Sequence, residues 1–427
     1  MPNRSTATGE KVTWHQKPWF MLIIFSIAYI AVFANIQGFI ALLPLVREEF
    51  LISRAQVGLY TSFYFLSAVL IAVFSGRITD YLGTKKGLIL SVGVIGLMMI
   101  LHSAAPLYGI LLILAFFTGI AFSIVTPSVN RGVVELADPS KRSFYMGIVH
   151  GGGGIGGFLG AVTLPYFGEM IGWRSALLIS SIFAVAVALF IFRYYHPPDS
   201  SEIEEKSSPE GEPKTFKEDL SYLLGNRYLL SIFSMGIVFG ISISSVTGHY
   251  PLFLTQDLDF SAAFAGLGLG TFHVGGILGQ PFWGLFNEKV FHGDRRKGLV
   301  LLGVLIFVLT LFFALIVSRI ALPAYTILIL SFLLGFCILG IIAIYFTAVS
   351  ELVTAKHVGM VTGLALIFPR TSTVIAPPLF GLVADIRGNY YGSWIILGVI
   401  VLVLTVSFIY FSGKYMRPAE SGEKQEP

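Results

Sequence analysis

The chain has 427 residues, of which 55% are apolar and only 12% charged, with a net charge of +4 and a mean hydropathy of +0.81. A soluble domain carries roughly 25% charged residues, so an ordinary soluble protein is excluded. One cysteine, Cys337, excludes a disulfide framework, and basic residues confined to loops beside apolar runs are not a nucleic-acid signature.

The sequence breaks into apolar runs of roughly 20 residues, the length that crosses a ~30 Å hydrocarbon layer as helix. Barrel strands would be half as long and would alternate. Spans are expected at 20–43, 56–75, 87–105, 107–130, 143–166, 174–194, 228–254, 263–286, 298–318, 323–350, 357–383 and 391–412. Trp14 to Lys17 lead straight into the first, so no cleaved leader is expected. An even number of crossings puts both termini on one side. Of the 28 Lys and Arg residues, all but Arg47, Arg54, Arg174, Arg319, Arg387 and Arg370 fall in the tails or in loops on that side. The positive-inside rule makes it cytoplasmic, with the protein in a plasma (inner) membrane.

Residues 195–227 are polar, rich in Pro, Ser and Glu, and divide six spans from six. They read as a flexible cytoplasmic linker. The expected organisation is a tail (1–19), a six-helix bundle (20–194), the linker (195–227), a second bundle (228–412) and a tail (413–427). The halves echo each other. GRITDYLGTKKGLIL (76–90) and GLFNEKVFHGDRRKGLVL (284–301) share a glycine, an acid four residues on (Asp80, Glu288), a second glycine (Gly83, Gly293) and a basic cluster before KGL. YFGEMIGWRS (166–175) pairs with LVADIRGNYYGSW (382–394). Repeated six-helix halves are a transporter architecture with the solute site between them at mid-membrane.

The run Gly76-Arg-Ile-Thr-Asp80-Tyr-Leu-Gly83-Thr-Lys85-Lys86, the stretches LLPLVREEFLISRAQVGLYTSFYFL and HYPLFLTQDLDFSAAFAGLGLG, and GWR at 172–174 resemble the major facilitator superfamily across the whole chain except linker and tails. The resemblance implies an all-α membrane protein of twelve helices in two pseudo-symmetric bundles around a central cavity, and secondary transport. It also implies that Gly76, Asp80, Gly83, Lys85 and Lys86, with Gly284, Glu288, Arg295 and Arg296 in the second copy, form a latch that changes with cavity orientation. Gly76 would let helices approach closely, and Asp80 would meet a basic group or helix N-terminus across the halves. A simple topology anchor is the alternative.

No Asp or Glu falls in the middle of a span; Glu135, Asp257, Glu288, Glu351 and Asp385 lie at the ends. Arg370 sits at the centre of span 11, after Pro369 and before Pro377-Pro378. Facing lipid it would cost at least ~2.5–3.5 kcal/mol. It either faces a watery cavity, where its guanidinium forks onto an anion, or is satisfied by backbone carbonyls. His273 in span 8 and His150 in span 5 are candidates for a proton carried with the solute, or for packing. Tyr29, Asn35 and Gln37 in span 1 offer neutral hydrogen bonds, with Asn130 and Tyr345 as weaker candidates. The run GGGGIGG (151–157) lacks GK[ST] and is no phosphate loop; it permits close packing or flexing.

No nucleophile–base pair or metal cluster stands at matched depth, so an enzyme, a metal and a cofactor are not expected. The expected function is movement of a small organic anion of carboxylate type, coupled to protons, by one chain acting alone. Monocarboxylate carriers of the superfamily place their key arginine in span 8, where this chain has His273. Drug or metabolite efflux is the alternative, and a sensor on a transporter scaffold is a third.

Overall fold

A computed structural model describes residues 18–138, 141–196, 227–351 and 358–415. Most of the tails and of the 195–227 segment lie outside the described residues. Among the described residues, twelve helices are long and apolar enough to cross a membrane. They are α1 (Pro18–Phe50), α2 (54–82) and α3 (84–103), which divide the stretch Arg54–Ser103 at Gly83, α4 (Tyr108–Leu136), α5 (Phe144–Ile171), α6 (Trp173–Tyr194), α7 (Arg227–Gln256), α8 (Ala262–Phe291), α9 (Arg295–Val317), α10 (Ala324–Ser350), α11 (Ala365–Arg387) and α12 (Tyr391–Lys414). Several exceed the expected spans. The 33 residues of α1 extend about 50 Å at 1.5 Å per residue, so α1 tilts or projects beyond the hydrocarbon.

Glycine builds the bundles. With no hydrophobic drive between helices in lipid, close backbone approach decides which pairs associate. In the first half α1 lies on α5: a Cβ at Gly156 would stand 2.5 Å from the Ile30 carbonyl oxygen, and one at Gly160 2.0 Å from that of Ala34. The second half repeats this at α7 on α11, where a Cβ at Gly240 would meet the Pro369 oxygen at 2.2 Å. Likewise α2–α4 closes through Gly119 and α8–α10 through Gly335, whose added Cβ would lie 1.9 Å from the Phe272 oxygen. Ser53 caps α2 with a reciprocal bond to Gln56, and Ser261 caps α8 at the matching place.

The α2–α3 connection is shorter than the sequence suggests. Helix continues from Arg54 to Ser103 apart from Gly83, whose φ of 72° and ψ of 168° reverse the chain. A side chain would be strained there, and the same holds for Gly293 at φ 79°.

The halves meet along α2–α11 and α5–α8. Among the described residues, every hydrogen bond, ion pair and tight glycine contact between them lies between mid-depth and the end opposite the termini. At the terminal end the two copies of the glycine–acid signature keep to themselves. Nothing lies within 4 Å of where a Cβ would stand at Gly76 or Gly284, so the close approach expected at Gly76 is absent in this conformation. Asp80 pairs with Arg131 of its own half (3.4 Å), and Arg131 also holds Glu135 (2.7 Å). Glu288 pairs with Arg295 (2.5 Å), which also holds Glu351 (2.8 Å). Arg296 departs from the expected latch: it donates to Ser412 Oγ (2.8 Å) and the Ile409 carbonyl (3.0 Å), tying α9 to the end of α12. Lys85 lies over the Phe192 ring and Lys86 is exposed. Among the described residues, the two halves are joined at the far end and make no hydrogen bond, ion pair or tight glycine contact at the terminal end.

Candidate functional site

Proline shapes the helix that carries Arg370. Pro369 has no N–H for the Ala365 carbonyl four residues back. The Tyr345 hydroxyl of α10 donates to that carbonyl instead, at 2.7 Å. Pro378 leaves the Val374 carbonyl without its helical donor in the same way, and Ser62 Oγ of α2, in the other half, takes it. The prolines thus convert backbone acceptors of α11 into interhelical contacts.

This fixes where Arg370 stands. Residues 370, 374, 377 and 381 share one helix face. Val374 touches Ser62, while Pro377 and Gly381 lie against Gly58 and Arg54–Ala55, all on α2. Arg370 is one turn nearer the terminal end, where the halves part. Its side chain is half-buried, and it makes no hydrogen bond or ion pair among the described residues. The neighbouring exposed residues Ile367, Ile375 and Leu379 define the lipid-facing side of α11, which Arg370 does not share. Backbone satisfaction, the alternative reading of its sequence position, is not seen.

His273 lies on the α5–α8 seam. It is 7% exposed, its imidazole rests on Gly157, and its Nε2 has no hydrogen-bond partner. The glycine run serves two neighbours. Gly152, Gly153 and Gly156 admit α1, while Gly154 and Gly157 admit Ile277 and His273 of α8.

The first half presents an aromatic wall at the same level. Tyr29, Phe33 and Gln37 recur every fourth residue of α1 and share a face. Tyr29 stacks on Phe33 (5.4 Å), Phe33 meets Phe122 (5.5 Å), and Phe122 meets Tyr64 (5.4 Å), two residues past Ser62. The Tyr29 hydroxyl bonds Thr126 Oγ1 (2.8 Å). His150 packs edge-on against Tyr29 (5.1 Å), and its Nε2 donates to Asn130 Oδ1 (2.9 Å). Gln37 Oε1 and the Tyr64 hydroxyl are buried without partners.

Asn35 does not join them. It is fully buried and faces α6, donating to the Ser180 carbonyl (3.3 Å) and accepting from Ser180 Oγ (3.3 Å). The polar amide that made it a candidate serves packing within one half. Tyr345 is likewise committed to α11. Phe33, Phe122 and Tyr64 were missed at the sequence level because aromatic residues are abundant in this chain and none is distinguished without its neighbours. Arg54 was read as an outer-loop residue and Asp257 and Asp385 as span ends; their meeting across the halves carries no local signal.

One half carries an unpaired cation one turn beyond the α2–α11 contacts, and the other half carries a group of aromatic and hydrogen-bonding side chains, of which Tyr64 lies two residues past Ser62 of that same seam. Such an arrangement can hold a small anion with an apolar body. Among the described residues no group of three or more His, Cys, Asp or Glu could hold a metal.

Twelve spanning helices in two glycine-matched halves, with polar groups gathered between them, define a two-bundle secondary-transporter scaffold. The chain belongs to the Major Facilitator Superfamily, whose family profile matches residues 25–253 and 239–427. It is 20% identical to the hexuronate transporter of Bacillus subtilis (strain 168), covering 90% of this chain and 92% of that one. It is 26% identical to the gentisate transporter of Corynebacterium glutamicum, over 90% and 84% of the two chains. A bacterial homolog of the human lysosomal transporter Spinster, in an inward-facing and unoccupied conformation, superposes with a TM-score of 0.76 at 15% identity, covering 96% of this chain and 100% of that one.

Proposed function

We propose that this protein carries a small organic anion of the carboxylate type across an inner membrane by alternating access, with a proton moving in the same cycle. The observation that supports it is Arg370, an unpaired guanidinium at mid-bundle on the face that leads into the gap between the halves. A carboxylate would give that cation two charge-assisted hydrogen bonds. Relatives whose names specify hexuronate and gentisate agree with this class. Tyr29, Phe33 and Phe122 would contact the body of the solute, and Gln37, Tyr64, Asn130 and His150 its further polar groups.

Lys and Arg crowd the terminal end, which the charge rule places in the cytoplasm. The conformation described is then open to the cytoplasm and closed outside. The Gly76–Asp80 and Gly284–Glu288 copies would meet the opposite half in the outward-open state, where their free glycine surfaces become contacts.

Binding is tested by thermal unfolding of the purified protein in detergent with a panel of carboxylates and their uncharged amides. Carboxylates are expected to raise the Tm and amides to leave it unchanged; equal effects would remove the anion assignment. Coupling is tested separately. His273→Gln is expected to abolish accumulation driven by an imposed proton gradient while preserving solute counterflow. Retention of gradient-driven accumulation would remove His273 from the proton path.

The aromatic wall also fits an apolar cargo and hence efflux. Deleting the gene sensitises cells to inhibitors under that reading and not under uptake.

A further inference from the structure

The far end of the molecule is closed by contacts that repeat across its pseudo-symmetry. Asp385, at the end of α11, stands at the N-terminus of α2 in the other half. Its two carboxylate oxygens accept from the backbone N–H groups of Arg54 (2.9 Å) and Ala55 (2.8 Å). Glu169, at the end of α5, stands at the N-terminus of α8, again in the other half, and accepts from the Ala263 N–H (3.2 Å). The two acids occupy matching places in the paired stretches YFGEMIGWRS and LVADIRGNYYGSW. A carboxylate is stabilised there because the first N–H groups of a helix have no intrahelical acceptor and the helix dipole is positive at that end.

Arg54 adds a second layer on one side. Its Nε donates to Gln256 Oε1 (2.9 Å) and its Nη1 to the Ala384 carbonyl (3.2 Å). Its Nη2 lies 3.5 Å from Asp257 Oδ1, and its guanidinium lies over the Tyr390 ring at 5.1 Å. Asp257 Oδ2 accepts from the Tyr390 N–H (2.6 Å). Arg54–Asp257 is the only ion pair between the halves among the described residues. Both side chains are nearly buried, at 12% and 6% exposed, so this pair is screened far less than a surface one.

We propose that Asp385 and Glu169 are paired latches that hold the far gate shut by capping helices of the opposite half, with Arg54 locking the Asp385 side. The bonds of Asp385, Glu169 and Arg54 cross between the halves and break when the halves part at that end; the Asp257–Tyr390 bond lies within the second half and stays. These three residues therefore bias the gate toward closure even without a solute, in addition to the Ser62–Val374 bond and the glycine contacts of the same seam. The Asp385 latch is the stronger, because it has two N–H donors and the Arg54 network, whereas Glu169 has one donor.

The test reads accessibility without any solute, so its outcome does not depend on the anion assignment. In a Cys337→Ser background, Thr61→Cys reports on the far seam, since Thr61 is fully buried there beside Gly248. Leu66→Cys reports on the open side, being 37% exposed on the same stretch of α2. In detergent-solubilised full-length protein, Asp385→Ala and Arg54→Ala are each expected to raise the maleimide labelling rate at position 61 by about tenfold, equivalent to ~1.4 kcal/mol, and to lower it at position 66. Glu169→Gln should do the same to a smaller extent, and Asp385→Ala with Glu169→Gln should exceed either alone. Arg174→Ala, which breaks the Arg174–Glu49 pair inside one half, should change neither rate. Loosened folding would raise labelling at both positions, and that result, or unchanged labelling at 61 in both Asp385→Ala and Arg54→Ala, overturns the proposal. Asp257→Asn, which keeps an acceptor for Tyr390 but removes the charge, supplies the milder variant if Arg54→Ala does not fold.

Discussion

Arg370→Gln is expected to lower carboxylate uptake into proteoliposomes by about 100-fold or more while leaving the thermal unfolding temperature of the solute-free protein unchanged or slightly higher. Truncating one partner of a desolvated charge pair costs about 2–5 kcal/mol, and 2.7 kcal/mol is already a factor of about 100. Stability should not fall, because the guanidinium has no protein partner to lose: no hydrogen bond or ion pair reaches it among the described residues. Glutamine keeps a hydrogen-bonding tip of similar reach and removes the charge and the fork. Arg370→Lys restores charge without the planar pair of donors, so it should recover part of the uptake with a weaker apparent affinity. Uptake by Arg370→Gln within a few-fold of the unaltered protein would exclude the anion site, and a large fall in Tm would reassign the arginine to structure.

Gly160→Val should prevent assembly of the first bundle. A Cβ at this position would sit 2.0 Å from the Ala34 carbonyl oxygen and 2.7 Å from its Cα, both backbone atoms that cannot rotate away. Helices α1 and α5 would have to separate over the stretch where Gly152, Gly153, Gly156 and Gly160 seat successive turns of α1. Overpacking in a core costs about 1–3 kcal/mol or more, and here it also opens an interface on which the bundle depends. The expected readout is loss of the monodisperse peak in size-exclusion chromatography, or a sharply lower Tm. Gly160→Ala should be intermediate. Gly151→Ala, where nothing lies within 4 Å of the new Cβ, should match the unaltered protein. If Gly160→Val and Gly151→Ala behaved alike, close α1–α5 packing would not be what the glycine run provides.

The two substitutions differ in what made their sites visible. Arg370 stood out in the sequence because a permanent charge in a long apolar run needs an explanation wherever the helix turns. The glycine run was noticeable as composition, but its division of labour was not: the alternation between α1-facing and α8-facing glycines follows from the rotation of α5 between two neighbours. Asn35 shows the opposite case. Its polarity and depth matched those of a solute ligand, yet α1 presents it to Ser180 of α6. A neutral amide has many possible partners, and only packing chooses one.

The sequence by itself determined the solvent, the twelve crossings, the division into two related halves and the position of one charge at mid-depth. These follow from hydropathy, run length and repetition, all local properties of the chain. The tertiary structure alone decided which helix faces meet. It placed Arg370 just below the α2–α11 seam, set His273 on Gly157, assembled the aromatic wall and joined Asp385 to the start of α2. The physical reason is that residues 330 positions apart come into contact through helix rotation and crossing angle, which close glycine approach fixes and hydropathy does not record.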